Sequence, residues 1–149
     1  MVVAAGNVSR PQAAVIEKLA ADKSVPVAFL GDADAYSLHT YLSLRVHLGA
    51  RRVRYCGLSD EVLAGIRDEA VEPERLSTWE QSELERAHLR IVERWLAPAG
   101  TVGPRVAAVL AGGRTIGIAH LSFRAGMISA LFRAALRLAW NRKRQPPAR

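Results

Sequence analysis

Residues 25–36 read VPVAFLGDADAY, and the fold turns on how they are read. Val25 to Leu30 is an unbroken apolar run, bounded by Lys23-Ser24 before it and Gly31 after it. A strand whose two faces are both covered needs such a run, so it predicts a buried strand of a parallel sheet. The acids follow at once. Side chains two residues apart on a strand point the same way, which places Asp32 and Asp34 together at the strand's C-terminal mouth. Open parallel sheets bind their ligands there. Two carboxylates so close repel each other unless a cation lies between them, and a hard divalent ion such as Mg²⁺ suits them. The plainer alternative is a solvated strand-to-helix turn in which one aspartate caps the next helix.

Outward from this stretch, the pattern alternates strands with helices. Val2–Ala5, ended by Gly6-Asn7, predicts a short strand. Ser9 and Gln12 form a capping-box pair with Pro11 in the first turn, opening a helix with Val15, Ile16, Leu19 and Ala20 that runs to about Asp22. After the acids, a helix is expected from Tyr36 to Leu48. Its apolar side is Leu38, Tyr41, Leu42, Leu44 and Leu48, with His39, Ser43 and His47 facing solvent and Gly49 ending it. Arg51–Cys56 reads as a third strand. The order β-α-β-α-β implies a parallel sheet with right-handed crossovers, an α/β fold of Rossmann-like type.

The second half is more helical. Ser59 to Gly65 predicts a short helix, followed by an acidic connector from Asp68 to Glu74. Ser77 and Glu80 make a second capping-box pair, opening a helix to about Leu96 with Leu84, Ala87, His88, Ile91 and Trp95 on one side. Pro98 to Pro104 reads as a loop, two helical pieces flank Gly112-Gly113, and a last helix spans Phe123 to Trp140. The ending NRKRQPPAR is expected to be a disordered basic tail. There is no internal repeat.

A length of 149 residues suits one domain. Half the residues are apolar and 23% are charged, which excludes a disordered or fibrous chain. The net charge of +7 is unevenly placed. Residues 1–93 hold 11 Lys/Arg against 14 Asp/Glu, whereas residues 94–149 hold 10 Lys/Arg and no acid. A polyanionic partner is therefore expected at one end only. Cys56 is the sole cysteine, so there is no disulfide framework, and a reducing, cytoplasmic setting is expected. The first residues lack the pattern of a signal peptide. Arg124, Arg133 and Arg137 interrupt the most apolar late stretch, so no membrane span is expected.

Four segments in order, VVAAGNVSRPQAAVIEKL, VPVAFLGDADAYSLHTYLSLR, ARRVRYCGLSDEVL and RLSTWEQSELERAHL, carry a resemblance, with GRTIGIAHLS at 113–122 as a weaker fifth. Their order and spacing resemble a Toprim domain. The likeness is to the A subunit of DNA topoisomerase VI and its relative, the meiotic double-strand-break transesterase. It covers about residues 1–122, leaving 123–149 as a basic amphipathic helix and tail.

The resemblance implies that Asp32 and Asp34 fall on the family's two Mg²⁺-binding aspartates. Ala35 and Ser37 depart from its usual Pro and Gly. The family's glutamate sits on an earlier strand that is expected to have no counterpart in this chain, and Glu17 does not match it. Its nucleophilic tyrosine lies in a separate domain, which Tyr36, Tyr41 and Tyr55 do not replace. The implied partners are DNA, a subunit carrying the tyrosine domain, an ATPase B-type subunit and a second copy of the chain. The favoured expectation is a topoisomerase VI A-like, DNA-associated protein with Mg²⁺-dependent handling of phosphodiesters, incomplete without such a subunit. The alternatives are a Toprim nuclease-like subunit of a defence system and a non-enzymatic, degenerate module that binds DNA or protein.

For DNA contact the candidates are Arg51, Arg52 and Arg54 at the third strand, and Arg133, Arg137, Arg142, Lys143 and Arg144 near the C-terminus. The C-terminal segment suits a DNA-contacting arm, an amphipathic helix on an anionic membrane, or a helix packed on the domain with a solubilising tail. His88 reads as a half-buried packing residue and Cys56 as a buried thiol, while His120 has no evident partner.

Overall fold

The computed structural model describes residues 10–21, 27–66, 78–121 and 127–141. In chain order its elements are α1 (Arg10–Ala21), β1 (Val27–Phe29), α2 (Ala35–Leu48), β2 (Val53–Tyr55), α3 (Asp60–Ala64), β3 (Trp79–Glu80), α4 (Glu83–Glu93), α5 (Pro98–Val102), α6 (Pro104–Ala111), β4 (Arg114–Thr115), α7 (Ile118–Leu121) and α8 (Met127–Asn141). The chain is α/β, mostly helical around a small parallel sheet.

β1 and β2 pair in parallel, Val27 opposite Val53, Ala28 opposite Arg54 and Phe29 opposite Tyr55, with α2 as the connection. Strand alternation divides their side chains between two layers. Val27, Phe29, Val53 and Tyr55 belong to the main core with Leu38, Tyr41 and Leu44 of α2. Phe29, Tyr41 and Tyr55 form an aromatic triangle there, with centroids 5.4–6.1 Å apart. Ala28, Leu30 and Cys56 face the other way onto Ala135 of α8, with Phe132, Leu138 and Ala139 around them. The two-strand sheet is thus sandwiched between α2 and α8, which is why Val27 to Leu30 is apolar at every position.

A second, antiparallel sheet joins β3 to β4, and an isolated bridge from Ala33 to Ile116 links β4's end to the turn after β1. Buried Gln81 fastens this corner, donating from Nε2 to the Leu110 and Arg114 carbonyls at 3.1 Å each.

Several boundaries differ from the sequence reading. The capping box belongs to Ser82 and Glu85, not to Glu80, because Trp79 and Glu80 are engaged in the β4 pairing; Ser77 lies outside the described residues. On α4 it is Leu89 and Val92, with Leu96 just beyond, that enter the core, while Leu84, Ile91 and Trp95 are 60%, 49% and 76% exposed. The expected loop at Pro98–Pro104 is two helices meeting at Gly103, whose φ of +88° is open to glycine. Each proline starts a helix at N1, where its missing N–H costs nothing. Strand β4, rather than a helix, follows Gly113.

The parallel sheet has two strands among the described residues. The first expected strand, Val2–Ala5, lies outside them, as do the acidic connector, the first residues of the expected last helix and the tail from Arg142. No helix among the described residues is long and apolar enough to cross a membrane.

Candidate functional site

The turn after β1 is held from three sides. Gly31 and Gly57 let the backbones beyond the two strands approach closely: the Leu58 N–H donates to the Gly31 carbonyl at 3.0 Å, and a Cβ on Gly57 would lie 2.7 Å from the Gly31 nitrogen. The buried Tyr55 hydroxyl donates to the Asp32 carbonyl at 2.8 Å. Ala33, fully buried, exchanges both backbone hydrogen bonds with Ile116, at 2.9 and 3.1 Å. Asp32 and Asp34 therefore flank a clamped residue and emerge half-buried.

Each carboxylate already has a backbone donor. Asp34 is the N-cap of α2, its Oδ1 accepting the Ser37 N–H at 2.6 Å. Asp32 reaches across the fold, its Oδ1 accepting the Ile118 N–H at 2.7 Å. Burial pushes the Asp34 carboxyl above the usual carboxylate range; the Ser37 hydrogen bonds pull it down, and the charges of Asp32 and Glu85 push it up. Burial, with the same two aspartates, raises the Tyr55 phenol well above its ordinary value, so it stays a neutral donor.

Among the described residues no group of three or more His, Cys, Asp or Glu is arranged to hold a metal; Mg²⁺ keeps most of its waters and needs only one or two carboxylates, so such an ion would rest on Asp32 and Asp34. Glu85, the further acid that acts on Asp34, has its Oε2 on the Ser82 N–H and hydroxyl at 2.7 and 2.9 Å. Sequence patterns give no role to Glu85 and weigh Tyr55 only as a nucleophile. The S-x-x-E spacing from Ser82 was the available signal for the first; nothing local marks the second.

The arginines gather elsewhere. Arg51 and Arg52 lie in the turn before β2, the first exposed and the second half-buried. Arg54 points to the α8 side of the sheet, where its Nη1 donates to the Ala139 carbonyl at 3.0 Å near the end of α8. This contact ties β2 to α8 across 85 residues of sequence. Arg133 and Arg137 are exposed on α8, while Arg142, Lys143 and Arg144 lie outside the described residues. Beside β2 is a cleft of about 570 Å³ with Arg45, Arg51 and Arg54 in its lining. Arg45, missed in the sequence, stands over the Tyr41 ring at 5.6 Å.

His88 is half-buried as expected, but its neighbours are the rings of Tyr36 at 5.0 Å and His39 at 5.7 Å. His39 thus packs between α2 and α4 rather than facing only solvent, while His47 is exposed. Cys56 is a buried thiol. The side chain of His120 lies outside the described residues. No protein-family model matches the chain, and no curated protein matches it.

Proposed function

We propose that this chain is a DNA-associated interaction module on a Toprim-like β-α-β unit, in which the aspartate pair is architectural and the arginines meet phosphate. The observation that carries it is the Arg54–Ala139 hydrogen bond, which sets the end of α8 against the arginine-bearing strand β2. The binding of Asp32 and Asp34 to backbone N–H groups supports the architectural half. If about five of these cations meet phosphates, log affinity falls with log salt at a slope of roughly −4.5, and each lost contact reduces it by about 0.9. Fluorescence anisotropy of labelled duplex across a salt series tests this. Arg51→Ala/Arg52→Ala and deletion of 142–149 should each flatten the slope. A slope indifferent to both removes the DNA reading.

The Mg²⁺-dependent reading, as a topoisomerase VI A-like or nuclease-like subunit, keeps one supporting observation: Asp32 and Glu85 both raise Asp34, a repulsion that a cation would relieve. Amide NMR shifts on Mg²⁺ titration, compared between the wild type and Asp32→Asn/Asp34→Asn, test it. Identical responses in both remove it.

A further inference from the structure

Among the described residues β2 is one of the two edges of the parallel pair, and its ladder shows which of its groups face away from β1. The Val27 N–H donates to the Arg52 carbonyl and the Cys56 N–H to the Phe29 carbonyl, both at 2.7 Å. The Arg52 carbonyl, both groups of Arg54 and the Cys56 N–H therefore face β1, while the Arg52 N–H donates to the Gly49 carbonyl at 3.0 Å; by alternation the N–H and C=O of Val53 and Tyr55 point away from β1. Among the described residues no partner meets these four groups. Both residues are nonetheless buried, at 2% and 8% exposure. Their outward backbone groups are left to the cleft, where an added strand would replace water with ladder hydrogen bonds.

The cleft of about 570 Å³ lies along this edge. Its lining draws from both faces of the sheet: Tyr41, Arg45, Val53 and Tyr55 from the α2 side, and Arg54 and Leu138 from the α8 side. Only a space running along the strand's edge meets both faces. Residues 99–103 of α5 and its end form the opposite wall. The volume is within the range of natural ligand sites.

We propose that the β2 edge takes an extended, acidic segment of a partner protein by strand addition, with its backbone on Val53 and Tyr55. Side chains of an added strand alternate between the two faces. Those on the α2 face meet Arg45 and those on the α8 face meet Arg54, so the ligand carries acids at successive positions. Arg51 adds charge at the mouth. The lining's acids weigh little against this: Asp60 has both oxygens on the Arg105 and Val106 N–H groups, at 2.9 and 3.0 Å, leaving Glu61. This inference does not depend on the DNA reading, since it needs neither the tail nor the α8 arginines.

The probe is a blocked heptapeptide, Val-Glu-Glu-Val-Glu-Glu-Val, titrated into the full chain and followed by amide NMR and hydrogen exchange. The Val53 and Tyr55 amides should shift and exchange at least tenfold more slowly. The same peptide N-methylated at every amide keeps its charge but cannot join a ladder, and should bind at least tenfold more weakly. Arg45→Glu should weaken the Glu peptide and strengthen its Lys counterpart. Equal binding of the two backbones, protection of both amides by inorganic phosphate or an oligonucleotide, or unaltered exchange would overturn the inference.

Discussion

Asp34→Ala and Asp34→Asn separate an architectural aspartate from a metal ligand. In the structure Asp34 Oδ1 caps α2 through the Ser37 N–H at 2.6 Å. Alanine removes that acceptor and should cost about 1 kcal/mol, up to about 2, or roughly 3 °C in Tm for a chain this size. Asparagine keeps the acceptor and drops the charge, which is disfavoured by burial and by Asp32 and Glu85. Because the folded carboxyl is raised, the native state binds this proton more tightly than the unfolded chain. Wild-type stability from this group is therefore full below the unfolded value near 4 and falls as pH rises through the folded one. An asparagine side chain at this position has no such loss. Asp34→Asn should therefore stand within about 0.5 kcal/mol of wild type, or above it, at neutral pH and lose that relative gain in acid. Urea unfolding at neutral and acid pH, with and without millimolar MgCl₂, measures all of this. Mg²⁺ at a hundred times its dissociation constant would add about 2.7 kcal/mol to the folded state; none is expected. The reasoning fails if Asn costs as much as Ala, or if Mg²⁺ raises wild type by more than about 1 kcal/mol while leaving both variants unmoved.

Three further substitutions probe the frame around the turn. Gly57→Ala would put a Cβ 2.7 Å from the Gly31 nitrogen and 2.8 Å from the Tyr55 ring, costing about 3 kcal/mol, or roughly 9 °C in a thermal melt; a melt unchanged within 2 °C or so contradicts the packing described. Tyr55→Phe leaves the Asp32 carbonyl without its donor at 2.8 Å and should lower urea stability by about 1–2 kcal/mol, with no loss meaning that water replaces the phenol. Asp60→Ala frees the Arg105 and Val106 N–H groups at the start of α6 and should cost about 2 kcal/mol, with Asn restoring roughly half; equal losses for Ala and Asn would point to charge rather than capping.

Much of the first half was legible. The strand over Val27–Phe29, the helix over Ala35–Leu48 and the strand over Val53–Tyr55 follow from patterns confined to a few residues: an apolar run, a helical stripe, an ending glycine. Ser59 and Gly65 bound α3 for the same reason. Legibility failed where the partner was remote. Trp79 and Glu80 read as a helix start until Arg114 and Thr115 pair with them. Pro98 and Pro104 read as loop, although the same residue type opens a helix when its neighbours pack. The apolar stripe of Leu84, Ile91 and Trp95 has good helical spacing, yet the core takes Leu89 and Val92.

The aspartate pair shows the division most plainly. Residue types and spacing by themselves determined that a buried strand ends in two neighbouring carboxylates before a helix, because alternation and apolar patterning are local. They also determined that positive charge accumulates after residue 93. What the carboxylates do was decided only in three dimensions. Ile118 lies 86 residues from Asp32, and its N–H, together with that of Ser37, supplies the donors that make the pair a fastening of the turn. The same holds for Arg54, whose donor reaches the Ala139 carbonyl and thereby sets the C-terminal helix against the sheet. A hydrogen bond's effect depends on a partner within about 3 Å, and no spacing along the chain records which distant atom the fold will bring there.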